Sequence, residues 1–156
     1  AFMATRNALL PAASSGIADH VPWTTFTDPE VAHVGLTEAE ARSALGEEVM
    51  LCGWSMRQVD RARTEGDTAG FLKIVYKKTD RTILGVTIVA ERAGEMIHEW
   101  IVALAQNMEV GELGSIIHVY PTYSTASMQA AASIRVMQLL SGTSGHLIKG
   151  LARLMR

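Results

Sequence analysis

Two consecutive strand patterns near the middle of the chain constrain its fold more than any other feature. Residues 71–77 read Phe-Leu-Lys-Ile-Val-Tyr-Lys, and residues 82–90 are almost entirely apolar and β-branched. A run of the second kind is typical of a central strand that is covered on both faces. Only the short polar stretch 77–81 separates the two runs, so we expect them to pair as a hairpin within an antiparallel sheet.

Further strand patterns precede this hairpin. The stretches with strand composition are residues 21–27, 31–36 and 48–56. The first of them ends at Asp28-Pro29, a dipeptide that favours a turn. The stretch 57–68 between the third strand and the hairpin is rich in charged residues, which predicts an exposed, solvated connection.

Helical patterns lie on both sides of the hairpin. Thr37 and Glu40 have the spacing of a capping box, so we expect a short surface helix that ends at Gly46. Apolar residues recur at helical spacing over residues 93–108 and again over residues 125–140, which predicts two amphipathic helices. The expected fold is therefore α+β, an antiparallel sheet with helices packed on one side.

Composition excludes several classes of function. Fourteen Lys and Arg against sixteen Asp and Glu in 156 residues give no positive field, so we expect no nucleic-acid partner. The single cysteine, Cys52, excludes an internal disulfide and a Cys-x-x-Cys site, and its place in a predicted strand indicates a buried, inert thiol. The histidines do not have the spacing of metal ligands, so no metal site is expected.

The segment 116–125 carries the densest set of reactive side chains and lies between the two long helical patterns. In an extended backbone His118 and Tyr120 would project to the same face, because side chains alternate with a period of two. Imidazole titrates near neutral pH and a phenol donates a hydrogen bond, so the pair suits proton transfer. The alternative is that both are ordinary, partly buried residues bonded to nearby backbone.

Charge is distributed unevenly along the chain, and its end is basic. No carboxylate follows Glu112, and residues 143–156 combine apolar side chains with lysine and arginine. Such a tail predicts weak contact with an anionic membrane surface, or else a terminal helix packed on its own domain.

Three segments occur in a fixed order and resemble a known family. They are residues 21–41, which begin Val-Pro-Trp-Thr-Thr-Phe-Thr-Asp-Pro-Glu, then Gly94-Glu-Met-Ile97, then His118-Val-Tyr-Pro-Thr122. Together they resemble the C-terminal dimerisation domain of the pyridine nucleotide-disulfide oxidoreductases, the family of glutathione reductase, dihydrolipoamide dehydrogenase and mercuric reductase. The residues Arg6-Asn7-Ala8-Leu9 are similar to the helix end that leads out of the flavin-binding domain in this family.

The resemblance implies a homodimeric parent enzyme that uses FAD and NAD(P)H bound by upstream domains. It implies three parts of the chain: a lead-in from the flavin-binding domain (1–20), the dimerisation domain (21–142) and the basic tail (143–156). The chain has no glycine-rich dinucleotide fingerprint, so we expect it to bind no cofactor and to be inactive alone. The expected location is the cytoplasm, either free or at the inner face of a membrane.

The loop implied to complete the partner's active site departs from the commonest family pattern. Many members carry a histidine directly before Pro-Thr and a glutamate farther along, where this chain has Tyr120 and Thr125. A tyrosine at this position resembles the pattern of mercuric reductases, which implies a mercuric reductase-like flavoprotein. The same resemblance implies that Tyr120 is a donor or ligand and that Pro121 and Thr122 face the cofactor. We hypothesise that His118 supplies the proton transfer for which the histidine of the common pattern is missing.

Two further interpretations belong to other classes of protein. In the first, the chain is a stand-alone dimerising interaction module without redox activity; in the second, it is a peripheral membrane adaptor attached through residues 143–156.

Residues 152–156 lack the C-terminal cysteine pair that mercuric reductases share, so mercuric ion is not the expected substrate.

Overall fold

The computed structural model describes residues 2–10 and 20–141 of the chain. Within these residues the helices are α1 (Phe2–Leu9), α2 (Glu38–Leu45), α3 (Asp60–Glu65), α4 (Ala93–Ala105), α5 (Val110–Leu113) and α6 (Thr125–Ser141). The strands of the same residues are β1 (Trp23–Thr25), β2 (Glu30–Gly35), β3 (Val49–Ser55), β4 (Phe71–Lys77) and β5 (Ile83–Ala90). The predicted α+β class is confirmed.

The sheet has the strand order β1-β2-β5-β4-β3, and each neighbouring pair is antiparallel. The apolar strand β5 lies between β2 and β4, as its composition predicts. The β4–β5 hairpin is closed by Asp80, whose carboxylate accepts a hydrogen bond from the backbone nitrogen of Thr82 at 3.0 Å. The neighbouring strands pair with this hairpin on both sides, β2 with β5 and β3 with β4.

The main core lies between one face of the sheet and helices α4 and α6. Trp100 of α4 is fully buried, and its indole nitrogen donates a hydrogen bond to the Ser127 hydroxyl oxygen of α6 at 2.9 Å. This bond pairs two polar atoms that would otherwise be buried without a partner. The two long helices therefore pack on the sheet and on each other.

The small helix α2 packs on the opposite face of the sheet. The predicted capping box is present, with the Glu40 carboxylate and Thr37 bonded reciprocally. Ala41 of this helix lies in a second apolar cluster with Val49 and Val75. The long helices thus share one face, as predicted, while α2 covers a small part of the other.

Two predicted elements are shorter in the structure. The strand expected over residues 21–27 is limited to β1, an edge strand that pairs with β2 alone. The helix expected over residues 93–108 ends at Ala105, because Asn107 adopts a left-handed backbone with φ of 51°. Asparagine is one of the residues that tolerate this conformation at a helix end.

The prediction of an exposed connection over residues 57–68 is wrong for its central part. The segment forms α3, and both Val59 and Ala62 are fully buried in the main core. Two buried apolar positions three residues apart anchor one side of this short helix, and its charged residues face outward. The charge pattern alone concealed these two contacts.

Candidate functional site

The segment singled out by its sequence forms an exposed loop between α5 and α6. We call residues 114–124 the α5–α6 loop. Its apolar side chains point into solvent, with Ile117 95% exposed, Val119 78% exposed and Tyr120 67% exposed. Exposed apolar side chains clustered in this way indicate a surface that another molecule covers.

Backbone and hydroxyl contacts fix the two ends of this loop. Gly114 lies against α6 so closely that a Cβ atom there would overlap the backbone nitrogen of Ala132. At the other end the Thr122 hydroxyl donates a hydrogen bond to the Val119 carbonyl oxygen at 2.7 Å, and the Thr125 hydroxyl donates to the Thr122 carbonyl at 2.6 Å. The loop therefore has a defined shape although its tip is exposed.

His118 faces the interior of its own subunit. Its Nε2 lies 2.8 Å from a carboxylate oxygen of Glu99 on α4, and its Nδ1 lies 2.9 Å from the Ile116 carbonyl oxygen. Burial lowers the pKa of His118, but the contacts with Glu99 and Ile116 raise the pKa by more, so its net direction is upward. Because both partners are acceptors, the arrangement favours the doubly protonated imidazolium.

Tyr120 has a different partner from His118, so the predicted pairing of imidazole and phenol is not what the structure shows. The Tyr120 hydroxyl donates a hydrogen bond to Oδ2 of Asp60 at 2.9 Å. The Asp60 carboxylate raises the pKa of Tyr120, by accepting this bond and by its negative charge. Tyr120 is therefore a protonated phenol at neutral pH.

A second tyrosine ties the base of the loop to α3. The hydroxyl of Tyr123, a buried residue, lies 2.8 Å from a carboxylate oxygen of Glu65 and 3.2 Å from one of Asp67. Burial and these two carboxylates raise the pKa of Tyr123 strongly. The α3 segment, which sequence reasoning treated as a solvated connection, thus supplies the acceptors for both tyrosines that flank Pro121.

The two residues predicted to face a cofactor lie at the tip and the base of the loop. Pro121 is exposed and follows a cis peptide bond with Tyr120. Thr122 is half-buried, and its hydroxyl is already used inside the loop. Of the predicted site residues, Tyr120 and Pro121 are therefore the ones whose side chains are most open to a second molecule.

Exposed apolar side chains continue on the second half of α6. The exposed side chains are Val136 (52% exposed), Met137 (56%), Leu139 (48%) and Leu140 (43%). The sequence pattern puts Val136, Leu139 and Leu140 on the apolar face of the predicted helix. Such a row is typical of a helix that packs on another chain or domain.

Two of the resembling motifs meet at the start of α4. The Gly94 backbone nitrogen donates a hydrogen bond to a Glu30 carboxylate oxygen at 2.8 Å. A shallow groove beside this contact is lined by Trp23 and Phe26 from the β1 region and by Ile101 of α4. The first two motifs of the sequence thus correspond to a contact between β2 and α4.

Other candidate sites are not supported within the described residues. Cys52 is buried, and burial raises the pKa of its thiol, in agreement with the predicted inert thiol. Over residues 2–10 and 20–141 we find no group of three or more potential metal ligands. No helix in that part of the chain is long and apolar enough to cross a membrane, and the basic tail 143–156 lies outside it.

A buried core beside an exposed apolar loop and an exposed apolar helix face is typical of a domain that packs on another chain or domain. Comparison with known families agrees with this class. The chain belongs to the pyridine nucleotide-disulphide oxidoreductase dimerisation domain family, whose model matches residues 21–131.

Individual relatives support the same family. The chain is 40% identical over 114 residues to dihydrolipoyl dehydrogenase of Thermus scotoductus, which covers 73% of this chain and 24% of that protein. It is 38% identical over 113 residues to leghemoglobin reductase of Vigna unguiculata, covering 72% of this chain and 21% of the relative. The chain therefore spans about a quarter or less of the length of these curated relatives.

Solved structures share the fold. LpdA from Mycobacterium tuberculosis superposes with a TM-score of 0.74 at 30% identity, covering 84% of this chain and 28% of that one. The flavoprotein disulfide reductase RclA from Escherichia coli, in its Cu(II) complex, superposes with a TM-score of 0.78 at 22% identity, covering 85% and 30%. At 22% identity, the similarity to RclA shows a shared fold and nothing further.

Proposed function

We propose that this chain is the dimerisation domain of an FAD- and NAD(P)H-dependent disulfide oxidoreductase, and that its α5–α6 loop completes the active site of a second subunit. The observation that carries the proposal is the loop itself. Its tip exposes Ile117, Val119 and Tyr120, while both of its ends are fixed to the core. A preformed apolar projection of this kind suits insertion into a partner.

The cofactors are proposed for other parts of the parent protein. The sequence has no glycine-rich dinucleotide fingerprint, and its single cysteine is buried with a raised thiol pKa, so these residues do not fit a flavin or a redox-active cysteine pair. When bound upstream, the flavin would accept a hydride from NAD(P)H and pass the electron pair to a disulfide. The chain's own contribution would be assembly and the loop.

The loop residues have distinct proposed roles. Tyr120, protonated and exposed, is the proposed donor or ligand at the partner's site, with Pro121 and Thr122 shaping the surface that faces the cofactor. His118 remains a proposed member of the site. Because its ring nitrogens already contact Glu99 and Ile116, its part in this proposal is to hold the loop in place.

The subtype is proposed on the tyrosine alone. Tyr120 in place of histidine favours a mercuric reductase-like enzyme, whereas the relatives described above bear other names. Comparing lipoamide, glutathione disulfide and mercuric ion as acceptors for the NAD(P)H-reduced protein tests this assignment. A cytoplasmic location, with weak membrane contact of the tail, belongs to the same proposal.

Hybrid dimers of the full-length protein test whether the loop acts across subunits. One subunit carries Tyr120→Phe, and the other carries a serine substitution in the redox-active cysteine pair of its upstream domain, with a different affinity tag on each. When each parental homodimer is inactive, a hybrid contains one intact site only if Tyr120 acts on the other subunit, so we expect about half of the wild-type activity.

Three results would contradict the proposal. A hybrid as inactive as the two parental variants would place Tyr120 in the site of its own subunit. A Tyr120→Phe homodimer as active as the wild type would place Tyr120 in no site. A colourless full-length protein without bound flavin would favour the stand-alone interaction module instead. A matched hybrid with Glu47→Gln in place of Tyr120→Phe controls for tagging and subunit exchange, because Glu47 is exposed directly after α2, which packs on the opposite face of the sheet.

A further inference from the structure

The orientation of the Tyr120 side chain is fixed by another element of the same subunit. Although Tyr120 is 67% exposed, its hydroxyl donates to Asp60 at 2.9 Å. Asp60 is the first residue of α3 and precedes Tyr120 by sixty positions in the chain. An exposed side chain without such a contact would sample several rotamers.

Helix α3 is itself firmly attached to the fold. Val59 and Ala62 are fully buried. At the far end of the helix Glu65 accepts a hydrogen bond from the buried Tyr123, which lies in the same loop as Tyr120. The helix is therefore connected to the base of the loop through Glu65 and to its tip through Asp60.

The hydrogen bond also determines which chemistry Tyr120 can present. A phenol has one proton to donate and lone pairs that accept. Because the Tyr120 hydroxyl donates its hydrogen bond to Asp60 and keeps its proton, the phenol oxygen offers its lone pairs to any group that approaches from the exposed side. Coverage by a second subunit would remove water from the pair and strengthen the bond, since the local dielectric falls.

We propose that Asp60 is a positioning residue of the α5–α6 loop, which holds the Tyr120 phenol in the direction and hydrogen-bonding state in which it meets the partner subunit's active site. This inference rests on the proposed function. It adds a residue from α3, a segment whose sequence pattern indicated only a solvated connection.

A double-mutant cycle in the full-length dimer tests the inference. The variants are Asp60→Ala, Tyr120→Phe and the two combined, assayed as NAD(P)H-dependent reduction of a soluble aromatic disulfide. We expect Asp60→Ala to lower kcat by about tenfold, the scale of one hydrogen bond to a charged group. We expect no further loss when it is added to Tyr120→Phe, because Asp60 then has no phenol to position.

Two further variants separate positioning from a structural role. Asp60→Asn keeps an acceptor oxygen and a residue suited to a helix N-terminus, so it is expected to restore most of the activity lost in Asp60→Ala. Arg63→Gln removes an ion pair that Asp60 makes at 3.8 Å and is expected to leave kcat unchanged. If Asp60→Ala costs as much activity in the Tyr120→Phe background as in the wild-type background, its role is structural and the inference is overturned.

A spectroscopic readout covers the case in which Asp60→Ala does not fold. The Tyr120 phenol is titrated by NMR in ring-labelled full-length protein, with Tyr120→Phe identifying its signal. Asp60→Asn is expected to lower the Tyr120 pKa relative to wild type, because the negative charge beside the hydroxyl is lost. An unchanged Tyr120 pKa in the intact dimer would overturn the inference.

The outcomes distinguish this inference from the proposed function. If Tyr120→Phe leaves kcat at the wild-type value, the loop has no role in the reaction and both proposals fail. If Tyr120→Phe lowers kcat while Asp60→Ala does not, the proposed function stands and the role of Asp60 is refuted.

Discussion

The core beneath α4 and the tip of the α5–α6 loop contain similar side chains but differ completely in exposure. Trp100 is fully buried between sheet and helices, whereas Ile117 is 95% exposed. Burial of a large apolar side chain contributes about 1.5–3 kcal/mol to stability. Trp100 obtains this within one subunit, while Ile117 obtains it only through contact with another surface.

The residues that build the core and the residues proposed to contact a second subunit are therefore separate in this domain. Helices α4 and α6 and the sheet cover one another, so the core formed by the described residues lies within one chain. The loop tip lies outside that core, although its ends are anchored to it. Each region can therefore be altered while the other stays intact, and three substitutions test this comparison.

The largest expected effect is on the core. Trp100→Ala should lower the free energy of unfolding by about 3–5 kcal/mol, because it leaves a cavity and an unpaired hydroxyl at Ser127. Chemical denaturation of the chain measures the change. Trp23→Ala is the matched control, since Trp23 is 50% exposed on the edge strand and should cost within about 1 kcal/mol. Equal losses of unfolding free energy in the two variants would contradict the distinction between core and surface.

A smaller effect is expected on association. Ile117→Glu should raise the dimer dissociation constant of the full-length protein by about tenfold or more, because it places a charge in the surface that is proposed to contact the partner. Sedimentation at several concentrations measures the constant, and denaturation should show unchanged stability of the subunit. Leu45→Glu, on α2 at the opposite sheet face, should leave the dimer unaffected. Loss of the dimer in the Leu45 variant alone would place the interface elsewhere.

The smallest expected effect concerns the pH dependence of loop anchoring. The pKa of His118 is higher in the folded protein than in the unfolded chain, where it is about 6.5. The pairing of His118 with Glu99 therefore stabilises the fold fully at pH values below the unfolded pKa. The stabilisation is then lost as the pH rises through the folded pKa. Glu99→Gln should remove less than about 1 kcal/mol of stability at acidic pH and little above the folded pKa.

Unfolding measured across that pH range, in wild type and Glu99→Gln, checks this prediction. His98→Gln is the control, because His98 is an exposed neighbour on the same helix. A pH dependence that Glu99→Gln leaves unchanged would show that the pair does not anchor the loop.

Much of the fold was predictable because its signals are local. The β4–β5 hairpin follows from two apolar runs around a short polar turn, and the Thr37 capping box identifies α2. The expected helix over residues 125–140 agrees with α6 to one residue. In each case the pattern and the structure that it specifies lie within a few neighbouring residues.

Other parts were not predictable because their signals are sparse. Helix α3 has only Val59 and Ala62 to mark its buried side, and charged residues dominate the rest of its segment. The four-residue helix α5 is too short to show a period. The exposure of the second half of α6 was also hidden, since an apolar face looks the same whether its own domain or another chain covers it.

The succession of strands and long helices along the chain, the family resemblance and the position of the loop that carries Tyr120 follow from the sequence alone. The partners of the loop's side chains depend on the tertiary structure: Glu99, nineteen residues from His118, and Asp60, sixty residues from Tyr120. Periodicity and capping act between near neighbours, whereas these hydrogen bonds depend on how α3 and α4 pack around the loop. Contacts between residues so distant in sequence arise only from packing.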